Sequence, residues 1–244
     1  MAQSIKIITC NLESGLGVTR GYYQHITSLW KHFLPSNNEA IEQCISYIQR
    51  ESPDILFVNE IDAGSSHSNY KNQIDKISGA IRAEGTFFPT THFFNFWNQG
   101  NAIFTSQPIK NHTTHVLPGT GEKRILAEMI IDLGGREVGI YTTHLGLNSR
   151  ERKLQIETIA RIVSQKKHHI ILAGDFNTLD VQEMQPLRDV GLTCITSPTF
   201  PSWKPAKQFD YICVSEHFDV IEYAAYSDIL FSDHLPLRAQ ISLR

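Results

Sequence analysis

The feature that most constrains this chain is a recurrence: its short apolar, β-branched runs begin or stop at an acid, an amide or a histidine. Residues 4–10 end at Asn11, with Glu13 just beyond, and residues 54–58 end beside Glu60. Residues 137–144 end on His144, and residues 169–173 run through Gly174 into Asp175 and Asn177. Near the C-terminus, residues 209–214 carry Asp210 at their start, and residues 236–241 follow Asp233 and His234. In open α/β sheets, ligand sites form at one edge, where strand ends and loops are held by a rigid scaffold. Any one of these residues is most simply a turn or cap, but the recurrence points to chemistry.

Between the runs, apolar residues fall at helical spacing. Residues 37–50 place Ile41, Cys44, Ile45 and Ile48 on one face; residues 69–83 do the same with Ile74, Ile77 and Ile81, and Gly85 marks the predicted end. A long charged helix is predicted over 149–165, and strands over 101–106, 125–133 and 220–225. Gly134 and Gly135 predict a hairpin between 125–133 and 137–144. No repeat or linker interrupts the 244 residues, so one α/β domain over 1–244 is expected.

Charge narrows the function. Lys and Arg total 22 against 25 Asp and Glu, a net charge of −3. A protein that holds nucleic acid by counterion release carries a basic bias, so affinity for a polyanion here needs a local patch or a bound cation. The four cysteines form no CxxC and sit in or beside apolar runs, which reads as buried free thiols of a reducing compartment, with a disulfide pair as the alternative. The first ten residues lack a basic region leading into a signal-like apolar stretch, and no run reaches the length of a membrane span. A soluble, cytoplasmic protein is the expectation, with a monomer favoured.

Five carboxylates gathered at one site, Glu13, Glu60, Asp175, Asp210 and Asp233, repel one another unless a cation offsets them. An oxygen-rich, sulfur-free set points to Mg²⁺, with Mn²⁺ as the alternative, rather than to zinc. Such an ion also grips a phosphate, which makes metal-assisted hydrolysis at phosphorus the natural chemistry.

The ordered strings TCNLES (9–14), NEID (59–62), GNAIFTSQPI (100–109), KRILAEMII (123–131), TTHLG (142–146), LAGDFNT (172–178), FDYICVS (209–215) and SDHLPL (232–237) make the resemblance specific. The chain resembles the endonuclease/exonuclease/phosphatase superfamily of metal-dependent phosphoesterases. The resemblance implies a four-layered α/β sandwich, two packed, mainly antiparallel sheets flanked by helices. It makes Glu60 the principal metal ligand, with Asn11 at the site floor and Glu13 and Asp233 near the metal. It makes Asp175 the water-aligning residue and Asn177 a group that steadies phosphoryl oxygens. Asp210 and His234 form an Asp–His pair, His144 is the other phosphate-binding histidine, and Arg124 fits an arginine of the nuclease branch. Both histidines and the cation are expected to neutralise transition-state charge.

Asn59 departs from the glutamine that many members carry, which puts a substrate contact from that side chain in doubt. Two segments carry no family motif. Residues 14–35 form a long connection, either functional or packed onto the domain. Residues 87–97 hold Phe87, Phe88, Phe93, Phe94, Phe96 and Trp97, which stack bases or touch lipid if exposed and form strand core if buried; core is favoured, with Trp97 at a rim. A Mg²⁺-dependent phosphodiesterase, nuclease-like on DNA or RNA, ranks first. A phosphatase or phospholipase-type enzyme acting on a phosphorylated lipid, inositol phosphate or small molecule ranks second, and a catalytically silent binding module third.

Overall fold

The structure, a computed structural model, describes residues 4–13, 38–66, 68–93, 97–228 and 230–244. Two six-stranded sheets pack face to face. The first contains β1 (Ser4–Asn11), β2 (Ile55–Asp62), β3 (Glu84–Phe93), β4 (Trp97–Thr105), β11 (Phe218–Ala225) and β12 (Leu237–Leu243), in the order β11-β12-β1-β2-β4-β3. The second contains β5 (Ile109–Val116), β6 (Ile125–Leu133), β7 (Arg136–His144), β8 (His169–Asp175), β9 (Leu192–Thr196) and β10 (Asp210–Ser215), in the order β5-β6-β7-β8-β10-β9. Each sheet has one parallel pairing, β1 with β2 and β7 with β8; the other pairings are antiparallel.

The period-2 alternation of the strands explains the layering. Ile5, Ile7, Phe57 and Ile103 of the first sheet meet Ala127, Met129, Ile140 and Ile171 of the second in the central core. Alternate residues face outward: Ile8, Cys10, Leu56 and Val58 pack under α1 (Asn38–Glu51) and α2 (Gln73–Ile81). Leu126, Tyr141, Leu172 and Tyr211 pack under α3 (Ser149–Ser164) and α4 (Gln185–Asp189). The result is the expected α/β sandwich. Within it the Gly134–Gly135 hairpin forms as predicted, with Leu133 opposite Arg136 and both glycines at positive φ.

Three expectations change. The second helix begins at Gln73 rather than 69, because the Asn72 side chain accepts from the Ile74 N–H and caps it. It ends at Arg82 in a left-handed conformation, and Gly85 belongs to β3, where a Cβ would lie 2.5 Å from the Phe104 ring. The cysteines divide: Cys194 and Cys213 face each other across β9 and β10 and form a disulfide, whereas Cys10 and Cys44 are free and buried. The four-thiol expectation missed this because it rested on sequence distance, and antiparallel pairing brings positions 19 apart into register.

Of the aromatic segment, Phe88 is buried in the central core and Phe87 packs against the layer under α1 and α2. The side chains of Phe93, Phe94, Phe96 and Trp97 lie outside what is described, as does the connection 14–35. Among the described residues no helix is long and apolar enough to cross a membrane.

Candidate active site

Strand pairing brings the polar strand ends together. The parallel pair β1–β2 sets Asn11 beside Asn59, and the parallel pair β7–β8 sets His144 beside Asp175. Across the antiparallel pair β8–β10, Asp175 stands opposite Asp210. Two backbone irregularities then aim the side chains. Between Val58 and Ile61 the β2–β4 register slips at a bulge, and Glu60 there adopts φ of 54°. A bulge re-aims a side chain at the cost of local strain, and here it turns Glu60 out of the alternation into the pocket. At Gly174 a Cβ would lie 2.1 Å from the Thr143 carbonyl oxygen, so only glycine lets β8 press against β7 at this level.

The pocket has a volume of about 290 Å³. Asn11, Glu13, Glu60, Arg124, His144, Asp175, Asn177, Asp233 and His234 all line it. Asp210 does not: it is fully buried behind His234, and its Oδ2 lies 2.9 Å from the imidazole Nδ1. The Asn11 amide spans the floor, donating to Glu60 Oε1 at 2.9 Å and Asp175 Oδ2 at 3.1 Å. Its own oxygen accepts from the Glu13 N–H at 2.9 Å. Asp175 Oδ2 lies 3.8 Å from the Nε2 of both His144 and His234. Asn177 is fixed at both ends, its N–H bonded to Asp175 Oδ1 and its amide to the Leu145 carbonyl.

The two histidines are not equivalent. Burial pulls His234 down, but the carboxylates of Asp210, Asp175 and Asp233 outweigh it and hold the imidazole well above its ordinary value, which favours its charged form. Burial also pulls His144 down, and there the positive charges of Arg124 and His234 add to the effect, which favours its neutral form. The two imidazoles are thus pushed in opposite directions. Burial pushes the Asp175 carboxyl up to about 7, and Glu60 is also raised, by burial and then by Asp233, against the opposing hydrogen bond from Asn11.

Among the described residues no Lys or Arg is bonded to these carboxylates: Glu60 is held by neutral amides, Asn11 and Gln99, and Asp210 Oδ1 is buried without a hydrogen-bond partner. Hard oxygen donors that outnumber the cationic side chains beside them fit a hard divalent cation. Among the described residues Asp175, Asp210 and His234 bring three potential ligand atoms within 4.8 Å of one another, a candidate acidic and histidine metal site.

A sequence profile of the Endonuclease/Exonuclease/phosphatase family matches residues 8–234. The chain belongs to that family. Solved structures agree on the fold. The human Nocturnin catalytic domain with bound sulfate superposes with a TM-score of 0.74 at 20% identity, over 99% of this chain and 94% of that one. An endonuclease/exonuclease/phosphatase family protein from Bacteroides thetaiotaomicron gives 0.76 at 16% identity, over 100% and 96%. A mannosyl-6-phosphatase from the same organism gives 0.72 at 16%, over 97% and 99%. No curated protein matches in sequence.

Within the family frame, several functional neighbours escaped the sequence. Asn59, fully buried, does not face the substrate pocket. Its oxygen accepts from the Asp175 N–H at 3.0 Å, and its amide donates to Asn101 Oδ1 at 2.9 Å and to the Thr143 carbonyl at 3.2 Å. One side chain on β2 therefore ties the first sheet to β7 and β8. Gln99, bonded to Glu60 Oε2 at 3.2 Å, holds the carboxylate from the other side. Glu122, Phe200 and Phe209 also line the pocket. The signal for Phe209 was its place before Asp210; Glu122 sits in a polar loop with nothing in its surroundings to distinguish it.

Proposed function

We propose that this protein is a Mg²⁺-dependent phosphoesterase, with Mn²⁺ as the alternative ion, hydrolysing its ester by attack of water. The observation that carries the reading is Asp175 Oδ2, 3.8 Å from the Nε2 of both His144 and His234 and bridged to Glu60 through Asn11. Glu60 would be the principal metal ligand, with Glu13, Asp233 and Asn11 completing the set from the same side. When bound, the ion supplies positive charge to the phosphoryl group and acidifies water.

Asp175, its carboxyl raised toward neutrality, orients the attacking water and takes its proton, since a base works best near the operating pH. His234, kept protonated by Asp210 behind it, neutralises charge as it develops on phosphoryl oxygen. His144 donates to a phosphoryl oxygen as a neutral group, and Asn177 steadies another. Arg124, which donates to the His144 carbonyl at 3.5 Å, sets a positive charge on the wall of the same pocket. The grouping of Asp175, Asp210 and His234 handles protons rather than metal, because a protonated imidazole repels a cation.

Nuclease-like action on a phosphodiester of DNA or RNA was the first expectation from the sequence. A phosphatase or phosphodiesterase acting on a small phosphorylated molecule gains specific support from the pocket. At about 290 Å³, its volume matches one small ligand, and Arg124 is the only Lys or Arg among its described lining residues. The proposal takes residues 1–244 as one catalytic domain, acting as a monomer. Four free thiols would support a cytoplasmic location, but only Cys10 and Cys44 are free and Cys194 and Cys213 form a disulfide; the thiol state of protein isolated from its source tests that location.

Turnover of bis(4-nitrophenyl) phosphate and 4-nitrophenyl phosphate, with Mg²⁺ and then EDTA, tests the reading. Metal-dependent hydrolysis that falls in His234→Ala supports it. Absence of turnover on both esters, with His234→Ala indistinguishable from wild type, rejects it and favours the silent binding module.

A further inference from the structure

Arg124 is already occupied. Its Nη2 lies 2.8 Å from Glu122 Oε2, while the other oxygen of Glu122 accepts from Thr91 Oγ1 of β3 at 2.6 Å. Arg124 is only 13% exposed, whereas Glu122 is 43% exposed and lines the pocket beside it. An arginine binds carboxylate and phosphate oxygens through the same planar array of donors. Glu122 thus takes the place on Arg124 that a second phosphate of a substrate would need. Around it, Glu13, Glu60, Asp175 and Asp233 complete five acidic side chains along the wall, against one arginine.

We propose that Glu122 is a charge filter. It selects esters that carry one phosphate and an uncharged group on the Arg124 side, and it disfavours those with an adjacent second phosphate, as in a nucleic-acid strand. The inference rests on the phosphoesterase reading and narrows its substrate class. A phosphate approaching Arg124 must either displace the carboxylate or sit within a few ångströms of it, and like charges at that range cost about tenfold or more in affinity at the dielectric of a protein surface. Removing the charge while keeping the size of the side chain relieves both penalties for the second phosphate, and touches the first phosphate little.

The test is calorimetric binding of thymidine 5′-phosphate and thymidine 3′,5′-bisphosphate in Mg²⁺ to Asp175→Asn and to the Asp175→Asn, Glu122→Gln double variant, in both of which turnover is suppressed. The exposed position of Glu122 makes its substitution compatible with folding, which a melting curve checks. The filter predicts that the double variant gains about tenfold or more for the bisphosphate and stays within about threefold for the monophosphate. The gain should shrink as salt rises from 0.05 to about 0.5 M, because exposed charges are screened. An equal gain for both ligands, or no gain for either, overturns the filter while leaving the phosphoesterase reading in place. If neither ligand binds either protein, both fail together.

Discussion

The two sheets contribute different chemistry to one pocket. The first sheet and its loops supply Asn11, Glu13, Glu60 and Asp233, the oxygen donors proposed to hold the cation. The second supplies His144, Asp175, Asn177 and Asp210, the groups proposed to handle water, phosphoryl oxygens and protons. His234, from the loop before β12, crosses to pair with Asp210, and two asparagines, Asn11 and Asn59, span the gap. The difference has a physical basis. On the first sheet a bulge with Glu60 in a left-handed conformation turns its carboxylate into the pocket, where the neutral amides of Asn11 and Gln99 hold its oxygens. On the second, tight packing at Gly174 draws His144, Asp175 and Asp210 together under burial, and burial is the main cause that lowers His144 and raises Asp175.

The largest expected effect falls on the second sheet. Asp175→Asn should cut kcat by at least about a hundredfold while folding normally, since the amide still accepts from Asn177 but cannot take a proton. Steady-state kinetics check it; a loss under threefold would assign the water to another group. Asn59→Ala should come next. It strands the Asp175 N–H, the Thr143 carbonyl and Asn101, each worth about 1–3 kcal/mol when unpaired. Because Asn59 touches no substrate, kcat should fall about tenfold or more with KM little changed, and a kcat/KM split measures it. An unaltered kcat would mean that the sheets hold their spacing without this tie.

The smallest effect on catalysis is expected on the outer face of the second sheet. Buried Glu128 accepts from Lys166, His115 and Tyr141. Burial raises its carboxyl, but these hydrogen bonds outweigh that and hold it below the ordinary value of 4.5. A lowered folded value means stabilisation that is fully present above the unfolded value and is lost as pH falls through the folded one. Glu128→Gln should therefore lower Tm at neutral pH by roughly 4–8 °C, for a loss of about 2 kcal/mol, with the gap to wild type closing below about pH 4. Activity per folded molecule should be unchanged. A gap that stays constant with pH would remove the carboxylate's charge from the account.

Much of this division was legible in the residue string. Strand-ending residues such as Glu60, Asp175 and His234 stood out because apolar periodicity stops beside them, and periodicity reflects local burial. What stayed hidden depended on pairing between strands distant in sequence. At Asn59, one residue before a proposed ligand, the sequence left a substrate contact in doubt, and only its partners in the structure show that the side chain faces inward. Asp210 looked like a pocket carboxylate, and its register opposite Asp175 shows that it stands behind the wall. Glu122 lies in an exposed loop without periodicity, so only its partners identify it. The Cys194–Cys213 bond has the same origin, a register that spacing does not encode.

The division of labour between the sheets is tested most directly by Mg²⁺ calorimetry on wild type, Glu60→Gln and Asp175→Asn. The account predicts that Glu60→Gln weakens Mg²⁺ binding by about tenfold or more, whereas Asp175→Asn keeps it within about threefold despite its loss of turnover. Equal weakening in both variants, or Mg²⁺ affinity lost with Asp175 and kept without the Glu60 charge, would contradict it.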